Sequence, residues 1–324
     1  MSFPFNVYLL AWAGGFLATA ATLPIWRIWC LRTGLLDDPG HRKIHSEPIP
    51  LAGGLAVLSG ITIPLLLAVV VIRWSGLGAQ AMEPLGYGLG KRSHQILALL
   101  GGAAAMVVLG WLDDKYELRP AWKFAGQFCI ALAVASQGIR ITLFIHNLWF
   151  SYAITILWIL TVTNALNFMD NMNGLCAGLG AIGAAFFALH AGGSGQYLVA
   201  SFCLLICGAW LGFLPYNFPH AKAFLGDSGS HLTGYLLAVL AILPHFYYRD
   251  HPRVLAVFTP LLVLAVPLAD LVWVVVLRWR AGRPFYVGDT NHLSHRLVRR
   301  GFSRTQAVLL IWLLAALVAT LAEL

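Results

Sequence analysis

Repeated apolar stretches, each long enough to cross a lipid bilayer as a helix, limit how this chain can fold. A spanning helix needs about 20 mainly apolar residues to cover roughly 30 Å of hydrocarbon. Ten stretches of this kind occur within the 324 residues, at approximately 6–29, 52–72, 94–112, 122–138, 148–166, 175–191, 196–214, 231–248, 254–277 and 304–322. They predict an all-α polytopic membrane protein with about ten transmembrane helices. No linker is long enough to separate two domains, so we expect residues 1–324 to form a single integral-membrane domain.

Composition excludes the other broad classes of protein. Hydrophobic residues make up 59% of the chain and charged residues 10%, against roughly 45–50% and about 25% in soluble domains. The net charge of +8 is carried by short segments between the apolar stretches, not by basic runs interleaved with aromatic residues. We therefore expect the lipid bilayer and an anionic substrate as partners, and no nucleic acid. The five cysteines show no metal-ligand spacing and imply no disulfide framework.

The distribution of charge between the stretches predicts the orientation in the membrane. Short cytoplasmic loops carry an excess of Lys and Arg, and alternate loops hold fifteen and six of these residues. This count places both termini outside. Nine of the thirteen acids lie on the same side as the fifteen bases, which the rule for basic residues does not explain. We therefore expect one polar active site at the cytoplasmic face.

Three segments on that side carry carboxylates or amides at the ends of apolar stretches. Asp113 and Asp114 are adjacent where the third stretch ends, and two such acids need a cation or proton to compensate them. They could face a metal or phosphate, or form a solvated helix end neutralised by Lys115. Asn164, Asn167 and Asp170 are spaced by three and could share one helical face, either to bind a cation or polar ligand or to pack against another helix.

The third segment contains Asp227 between two glycines, just before the eighth stretch. Ser228 and Ser230 could cap the helix that follows, and a helix N-terminus favours an anion. Asp227 could hold Mg²⁺, so the segment suits a metal–diphosphate. The simpler alternative is that Asp227 is only an N-cap.

Histidine and arginine concentrate in two further cytoplasmic segments. The last loop contains His292, His295 and Arg296, and the first contains Arg42 and His45. These side chains could contact phosphate, or the loops could bind anionic lipid. A separate acid, Asp270, lies inside the ninth stretch, where it could be functional or paired with Arg278 or Arg280.

Together these segments resemble the polyprenyl-phosphate N-acetylhexosamine-1-phosphate transferase family, most strongly its bacterial undecaprenyl-phosphate GlcNAc-1-phosphate transferases. The matching segments occur in family order: Asp38-Pro-Gly-His-Arg-Lys-Ile-His45 with Pro50 and Gly53-Gly54, Asp113-Asp114, Asn164-Ala-Leu-Asn167-Phe-Met-Asp170, Phe224-Leu-Gly-Asp-Ser-Gly-Ser230, and His292 to Leu297. The resemblance implies an integral enzyme of the bacterial inner membrane with about ten or eleven helices. It implies transfer of a phospho-aminosugar from a UDP-amino sugar to undecaprenyl phosphate, release of UMP, and dependence on Mg²⁺, with Mn²⁺ as a substitute.

The resemblance also implies roles for individual residues. Asp227 corresponds to the principal Mg²⁺ ligand, Asn167 to a second ligand in some members, and Asp113 and Asp114 to the essential acid pair. The phosphate-contacting and uridine-contacting positions match Lys123, Asn173, Gly174, His292, His295 and Arg296. The same motifs make Arg42, His45, Asn164 and Asp170 candidates for substrate binding.

Three positions depart from the family pattern, and two alternatives stay open. Asn173 stands where many bacterial members have Asp, Ser294 where another His is common, and Leu51 where a basic residue is common. The sister enzyme that transfers phospho-MurNAc-pentapeptide shares the scaffold but typically carries three consecutive histidines. A transporter or lipid flippase would instead place polar residues near the bilayer midplane. A homodimer is compatible with the sequence, which does not fix the oligomeric state.

Overall fold

The protein is mostly helical, and each of the ten predicted apolar stretches contains helix within its described residues. The computed structural model describes residues 2–37, 47–74, 90, 92–143, 145–244, 246 and 257–322. Twelve helices occur in these ranges: α1 Phe5–Thr33, α2 Gly53–Trp74, α3 Ser93–Tyr116, α4 Pro120–Ser136, α5 Leu148–Met169, α6 Leu175–Gly193, α7 Tyr197–Asn217, α8 Gly226–Leu240, α9 Thr259–Val263, α10 Ala265–Arg280, α11 Leu293–Arg299 and α12 Arg304–Thr320. Two short strands, β1 Leu36–Asp37 and β2 Ile49–Pro50, pair antiparallel, with Leu36 opposite Pro50 and Asp37 opposite Ile49.

Six helices in the described part of the chain are long and apolar enough to cross a membrane. They are α1, α2, α3, α5, α6 and α7, and α12 is a shorter apolar helix. The protein is therefore a polytopic membrane protein, as its hydropathy predicts.

The boundaries predicted for the eighth and ninth stretches are wrong, and the eighth helix also ends early, at Leu240. The eighth helix begins at Gly226 and not near residue 231, so Asp227 lies in its first turn and not before it. The ninth stretch is not one helix, because it is interrupted at Leu264 between α9 and α10. Pro267 has no N–H to donate to the carbonyl of Val263 four residues earlier, which accounts for the interruption. The β pair and the short helix α11 were not predicted.

Helix α8 is the centre of the bundle. All its residues from Ser228 to Leu240 are buried, and it packs against α2, α3, α5 and α6. Contact with α3 is so close that a Cβ atom at Gly110 would clash with the backbone of Asp227 and Ser228. Small residues allow helix backbones to approach in this way in membranes. The first turn of α8, which carries Asp227, is thereby held against the end of α3, which carries Asp113 and Asp114.

Candidate active site

A cavity of about 1300 Å³ opens near the β pair, where α1, α3 and α5 end and α8 begins. Seven of the residues predicted from the sequence line it: Asp113, Asp114, Asn167, Asp170, Asn173, Asp227 and His295. They come from segments far apart in the chain, so the fold brings the predicted motifs to one site. Apolar residues, among them Trp29 and Trp111, form part of the same wall.

Lys123 on α4 joins two of the carboxylates. Its Nζ lies 2.6 Å from Asp113 Oδ2 and 3.2 Å from Asp227 Oδ2. The Lys123 side chain is 17% exposed and that of Asp113 is 9% exposed, so water screens this contact only in part. A single ammonium group therefore partly offsets the negative charges of two acids that line the cavity, although Lys123 itself is not among the lining residues.

Asn167 on α5 fixes the other oxygen of Asp227. Its Nδ2 donates to Asp227 Oδ1 at 2.6 Å and to Ser230 Oγ at 2.8 Å. The two residues predicted as metal ligands are thus in direct contact. The carboxylate of Asp227 is oriented from one side by the Asn167 amide and from the other by Lys123.

Asn164 belongs to a buried polar chain and does not line the cavity. Its Nδ2 donates to Gln127 Oε1 at 2.8 Å, and Gln127 Nε2 lies 3.4 Å from His231 Nε2. Gln127 and His231 are both fully buried. Neither was predicted, although His231 follows Asp227 by four residues and such a pair shares one helix face.

Asp114 differs from Asp113 because its carboxylate caps α8. Its Oδ1 accepts the N–H of Asp227 at 2.7 Å, and its Oδ2 accepts the N–H of Ser228 at 3.1 Å. The expectation that Ser228 and Ser230 cap this helix is wrong, because their hydroxyls donate to the carbonyls of Leu225 and Asp227. The cap comes from α3, and it ties the acid pair to the backbone of the glycine-flanked acid.

The turn after α5 forms another side of the cavity. Asn173 Nδ2 donates to the carbonyl of Pro219 at 3.1 Å. The N–H of Gly174 donates to Asn217 Oδ1, and Asn217 Nδ2 donates to the carbonyl of Ala223. Asn217 was not predicted, and its only signal is an amide at the end of an apolar stretch. It joins the predicted uridine-binding turn to the loop that leads into α8.

Burial raises the pKa of Asp170 well above its usual range, and the negative charges of Asp227 and Asp114 act in the same direction. Its carboxyl group is therefore disposed to retain a proton and to donate a hydrogen bond. Burial lowers the pKa of His295, which also lines the cavity, and the charges of His292, Arg299 and Arg304 lower it further against the opposing charge of Asp270. A neutral imidazole at neutral pH follows, so His295 offers a hydrogen bond rather than positive charge.

The remaining residues of the histidine segment turn away from the cavity. His292 is 5% exposed, and its Nδ1 lies 2.6 Å from Asp270 Oδ2. The Arg296 guanidinium carbon lies 4.8 Å from the centre of the Trp273 ring. Neither side chain is among the described residues that line the cavity.

Of the two alternatives for Asp270, the pairing with Arg278 or Arg280 is not the one observed, since Asp270 contacts His292. Arg278 Nε instead lies 2.8 Å from Asp289 Oδ2. Burial alone would raise the pKa of Asp289, but hydrogen bonds from the Asn291 N–H and from Arg278 lower it below its usual range. Two other predicted residues, Arg42 and His45, lie outside the described residues.

One group of side chains suits a divalent cation. Within the described residues, Asp113, Asp227 and His231 place one potential ligand atom each within 4.8 Å of the others. Nδ1 of His231 is buried and has no hydrogen-bond partner in the part of the chain that the structure describes. Carboxylate oxygens are ligands that Mg²⁺ and Mn²⁺ prefer, and imidazole is acceptable to Mn²⁺. The donor set therefore fits such an ion.

Comparison with known proteins connects this geometry to a family. Residues 96–245, which include the acid pair, the amide stripe and Asp227, match the family model described as glycosyl transferase family 4. The chain is 32% identical over 299 residues to a probable undecaprenyl-phosphate N-acetylglucosaminyl 1-phosphate transferase of Bacillus subtilis, covering 90% of this chain and 77% of that protein. The chain belongs to the polyprenyl-phosphate N-acetylhexosamine-1-phosphate transferase family. This confirms the resemblance seen in the motifs.

Two more relatives of this transferase family cover similar lengths. The decaprenyl-phosphate N-acetylglucosaminephosphotransferase of Mycobacterium tuberculosis is 33% identical over 328 residues, covering 92% of this chain and 77% of the relative. The undecaprenyl-phosphate alpha-N-acetylglucosaminyl 1-phosphate transferase of Escherichia coli is 28% identical over 320 residues, covering 94% and 80%. These names do not favour the MurNAc-pentapeptide alternative, and the clustering of polar groups at helix ends does not favour a transporter.

Proposed function

We propose that this protein transfers N-acetylglucosamine-1-phosphate from UDP-N-acetylglucosamine to a polyprenyl phosphate and releases UMP. The observation that carries the proposal is that Asp113, Asp227 and Asn167 line one large cavity, where Asp227 contacts Asn167 and both acids contact Lys123. That arrangement can hold a cation and phosphate groups together. The relatives named above are transferases of N-acetylglucosamine phosphate to undecaprenyl or decaprenyl phosphate, which supports the same sugar and an acceptor of the same class here.

Mg²⁺ is the proposed cofactor, with Mn²⁺ as a substitute. Asp227 and Asp113 would hold it, with His231 adjacent and Asn167 able to contribute its amide oxygen after rotation of the amide. When bound, the ion would neutralise the diphosphate and stabilise the phosphate of the leaving UMP.

The chain's own groups orient the reactants. Lys123 is placed to add positive charge beside the phosphates, and its contact with Asp113 keeps the ammonium group at that position. The acceptor is a phosphate monoester, whose second pKa is about 6, so most of it is already deprotonated at neutral pH. A strong general base is therefore not required, and Asp113 serves to orient the acceptor or to remove its last proton. We propose direct in-line attack of the acceptor oxygen on the β-phosphorus of the UDP-sugar.

Ten membrane spans, both termini outside and a cavity facing the cytoplasm complete the proposal. The excess of Lys and Arg in one set of loops, fifteen against six, supports this orientation. The chain would lie in the bacterial inner membrane, where a cytoplasmic UDP-sugar and a membrane-bound acceptor can both reach the cavity.

The direct test uses purified protein in detergent with undecaprenyl phosphate, Mg²⁺ and a panel of UDP-sugars, and it measures UMP together with the lipid product. UDP-N-acetylglucosamine should give UMP and lipid product in equal amounts, and Asp227→Asn should give neither. Selective turnover of UDP-MurNAc-pentapeptide, or the absence of UMP with every donor, would contradict the proposal.

Omitting the acceptor distinguishes one-step from two-step transfer. In-line attack predicts neither UMP release nor exchange of labelled UMP into UDP-sugar when undecaprenyl phosphate is absent. A burst of UMP that matches the amount of enzyme would indicate a covalent sugar-phosphate intermediate instead, and would leave the assignment of the overall reaction intact.

Orientation can be tested by cysteine labelling in intact cells. Cys129 is exposed, so the background variant is Cys129→Ala. Cysteines introduced at Lys115 and Arg299 should be shielded from an impermeant thiol reagent, and one introduced at Gly193 should react. The reverse pattern would place the cavity outside.

A further inference from the structure

Asp270 is a buried carboxylate on α10 whose two oxygens both bind one short segment. Its Oδ2 lies 2.6 Å from His292 Nδ1, and its Oδ1 accepts the N–H of Leu293 at 2.6 Å. Because a carboxylate can only accept, the His292 Nδ1 carries the proton of the first bond. The second bond caps the first turn of α11, where backbone N–H groups otherwise lack partners. Asp270 itself is 5% exposed.

His292 makes its contacts within the helix bundle. Its ring lies edge-on to Phe168 with the ring centres 5.6 Å apart, and Phe168 is next to Asn167 in α5. His292 is therefore a packed element of the bundle, not a group on the cavity wall.

A second tether holds the same helix from another direction. The Ser294 hydroxyl donates to Asn171 Oδ1 at 2.6 Å, and Ser294 is fully buried. Asn171 follows Asp170 in the turn after α5. Ser294 stands where the family often has another histidine. Here it links α11 to Asn171, which lines the cavity.

Helix α11 depends on such tethers for its placement. It has only seven residues, and helices this short are not stable by themselves. His295 follows His292 by three residues, which is slightly less than one turn, and it is the histidine of this segment that lines the cavity. The position of the His295 ring is therefore set by the contacts that hold the start of α11.

We propose that Asp270 is a positioning residue, which binds His292 and the first turn of α11 and thereby directs His295 into the cavity. The inference rests on the proposed function only where it predicts the effect of Asp270 on turnover. In this assignment His295 contacts the substrate phosphates, and Asp270 and His292 act through it.

A double-mutant cycle tests the coupling. Asp270→Asn is nearly isosteric and retains one acceptor oxygen, so it should lower kcat roughly tenfold, a typical effect for coupled neighbours. In a His295→Ala background the same change should lower kcat less than about twofold, because the group that it positions is absent. KM for the UDP-sugar should change less than kcat. If the reduction in kcat of the double variant equals the product of the two single reductions, the residues act independently and the proposal is overturned.

A control variant that also removes a buried hydrogen bond distinguishes a positioning role of Asp270 from a contribution to stability alone. Thr155 is buried, and its hydroxyl accepts the N–H of Ile141 at the far end of α5. Thr155→Val should lower the melting temperature and leave kcat of the folded enzyme unchanged. If Thr155→Val and Asp270→Asn reduce kcat equally at equal loss of melting temperature, Asp270 has only a structural role.

Labelling provides a readout that does not need turnover. His295→Cys in the Cys129→Ala background should react with a soluble thiol reagent, and adding Asp270→Asn should change that rate several-fold. Ser294→Ala removes the other tether and should change the rate as well. If the reactivity is unchanged in both variants, α11 is not held in this way. If the wild-type protein shows no transfer, the proposed function fails, while the labelling rates still decide the role of Asp270.

Discussion

Replacing Asp114 tests whether this acid acts mainly as the cap of α8. Both of its oxygens accept backbone N–H groups, from Asp227 and Ser228. Asparagine has one acceptor oxygen, and its NH₂ group would face the other N–H. A hydrogen bond to a charged group contributes about 1.5–3 kcal/mol, so Asp114→Asn should lower the free energy of unfolding by about that amount. Asp114→Ala loses both bonds and should therefore cost more than Asp114→Asn.

Gly226 allows the same contact to be broken from the other partner. Its φ is +71°, and a Cβ atom there would lie 2.8 Å from Asp114 Oδ2. Gly226→Ala should therefore push the carboxylate away in addition to straining the backbone. Because both changes remove one contact, the double variant should lose less stability than the sum of the single losses.

The assay compares thermal unfolding in detergent with UMP release for the single and double variants. Turnover should fall along with stability, because Asp227 would shift relative to Lys123 and Asn167. Thr155→Val is the control, since it removes a buried hydrogen bond far from the cavity and should leave turnover intact. The capping role would be refuted if Asp114→Ala melted at the same temperature as the wild type. It would also be refuted if the loss of stability in the double variant equalled the sum of the two single losses.

Three other changes give expected outcomes of different kinds. Asn173→Ala should raise KM for the UDP-sugar roughly 5–150-fold through loss of a hydrogen bond of about 1–3 kcal/mol, and Asn173→Asp should raise it less; an unchanged KM in both would leave Asn173 only its bond to Pro219. Gly110→Ala should lower the free energy of unfolding by at least about 1–3 kcal/mol, because its Cβ would clash with the α8 backbone, and the melting temperature and turnover should fall together. The lowered pKa of Asp289 stabilises the fold above its unfolded pKa of about 3.9, and this stabilisation is lost as the pH falls through the folded pKa. The difference in melting temperature between wild type and Asp289→Asn should therefore be full near neutral pH and shrink below about pH 4; a constant difference would contradict the assignment.

Local patterns predicted the parts of the fold that depend on local physics. Each apolar stretch contains helix in its described residues, because hydropathy over about 20 residues is a property of the stretch itself. The spacing of Asn164, Asn167 and Asp170 by three residues predicted their shared helical face less well. Each step of three residues falls about 60° short of a full turn, so Asn164 and Asp170 differ by about 120°. That drift explains why Asn167 and Asp170 reach the cavity and Asn164 turns to Gln127.

The contacts that assemble the site could not be predicted from residue types. A carboxylate needs donors, but its identity does not say which donors the fold will supply. Asp114 finds them in a helix that begins more than a hundred residues later, and Asp270 finds them in α11. For the same reason hydropathy placed the start of α8 too late, since a helix can begin in polar residues when a distant side chain caps it.

The balance of charge around the cavity indicates which step needs a cation. The described wall carries the acids Asp37, Asp113, Asp114, Glu117, Asp170 and Asp227, against the bases Lys115 and Arg304. Lys123 is engaged by two of those acids, and the lowered pKa of His295 leaves it neutral. A diphosphate that enters the cavity would therefore face a lining with net negative charge. We therefore expect a divalent cation to be needed for UDP-sugar binding itself and not only for turnover. Titration of the protein with UDP should show binding with Mg²⁺ and little with EDTA, and equal affinity in both would mean that Lys115 and Arg304 suffice to bind the diphosphate.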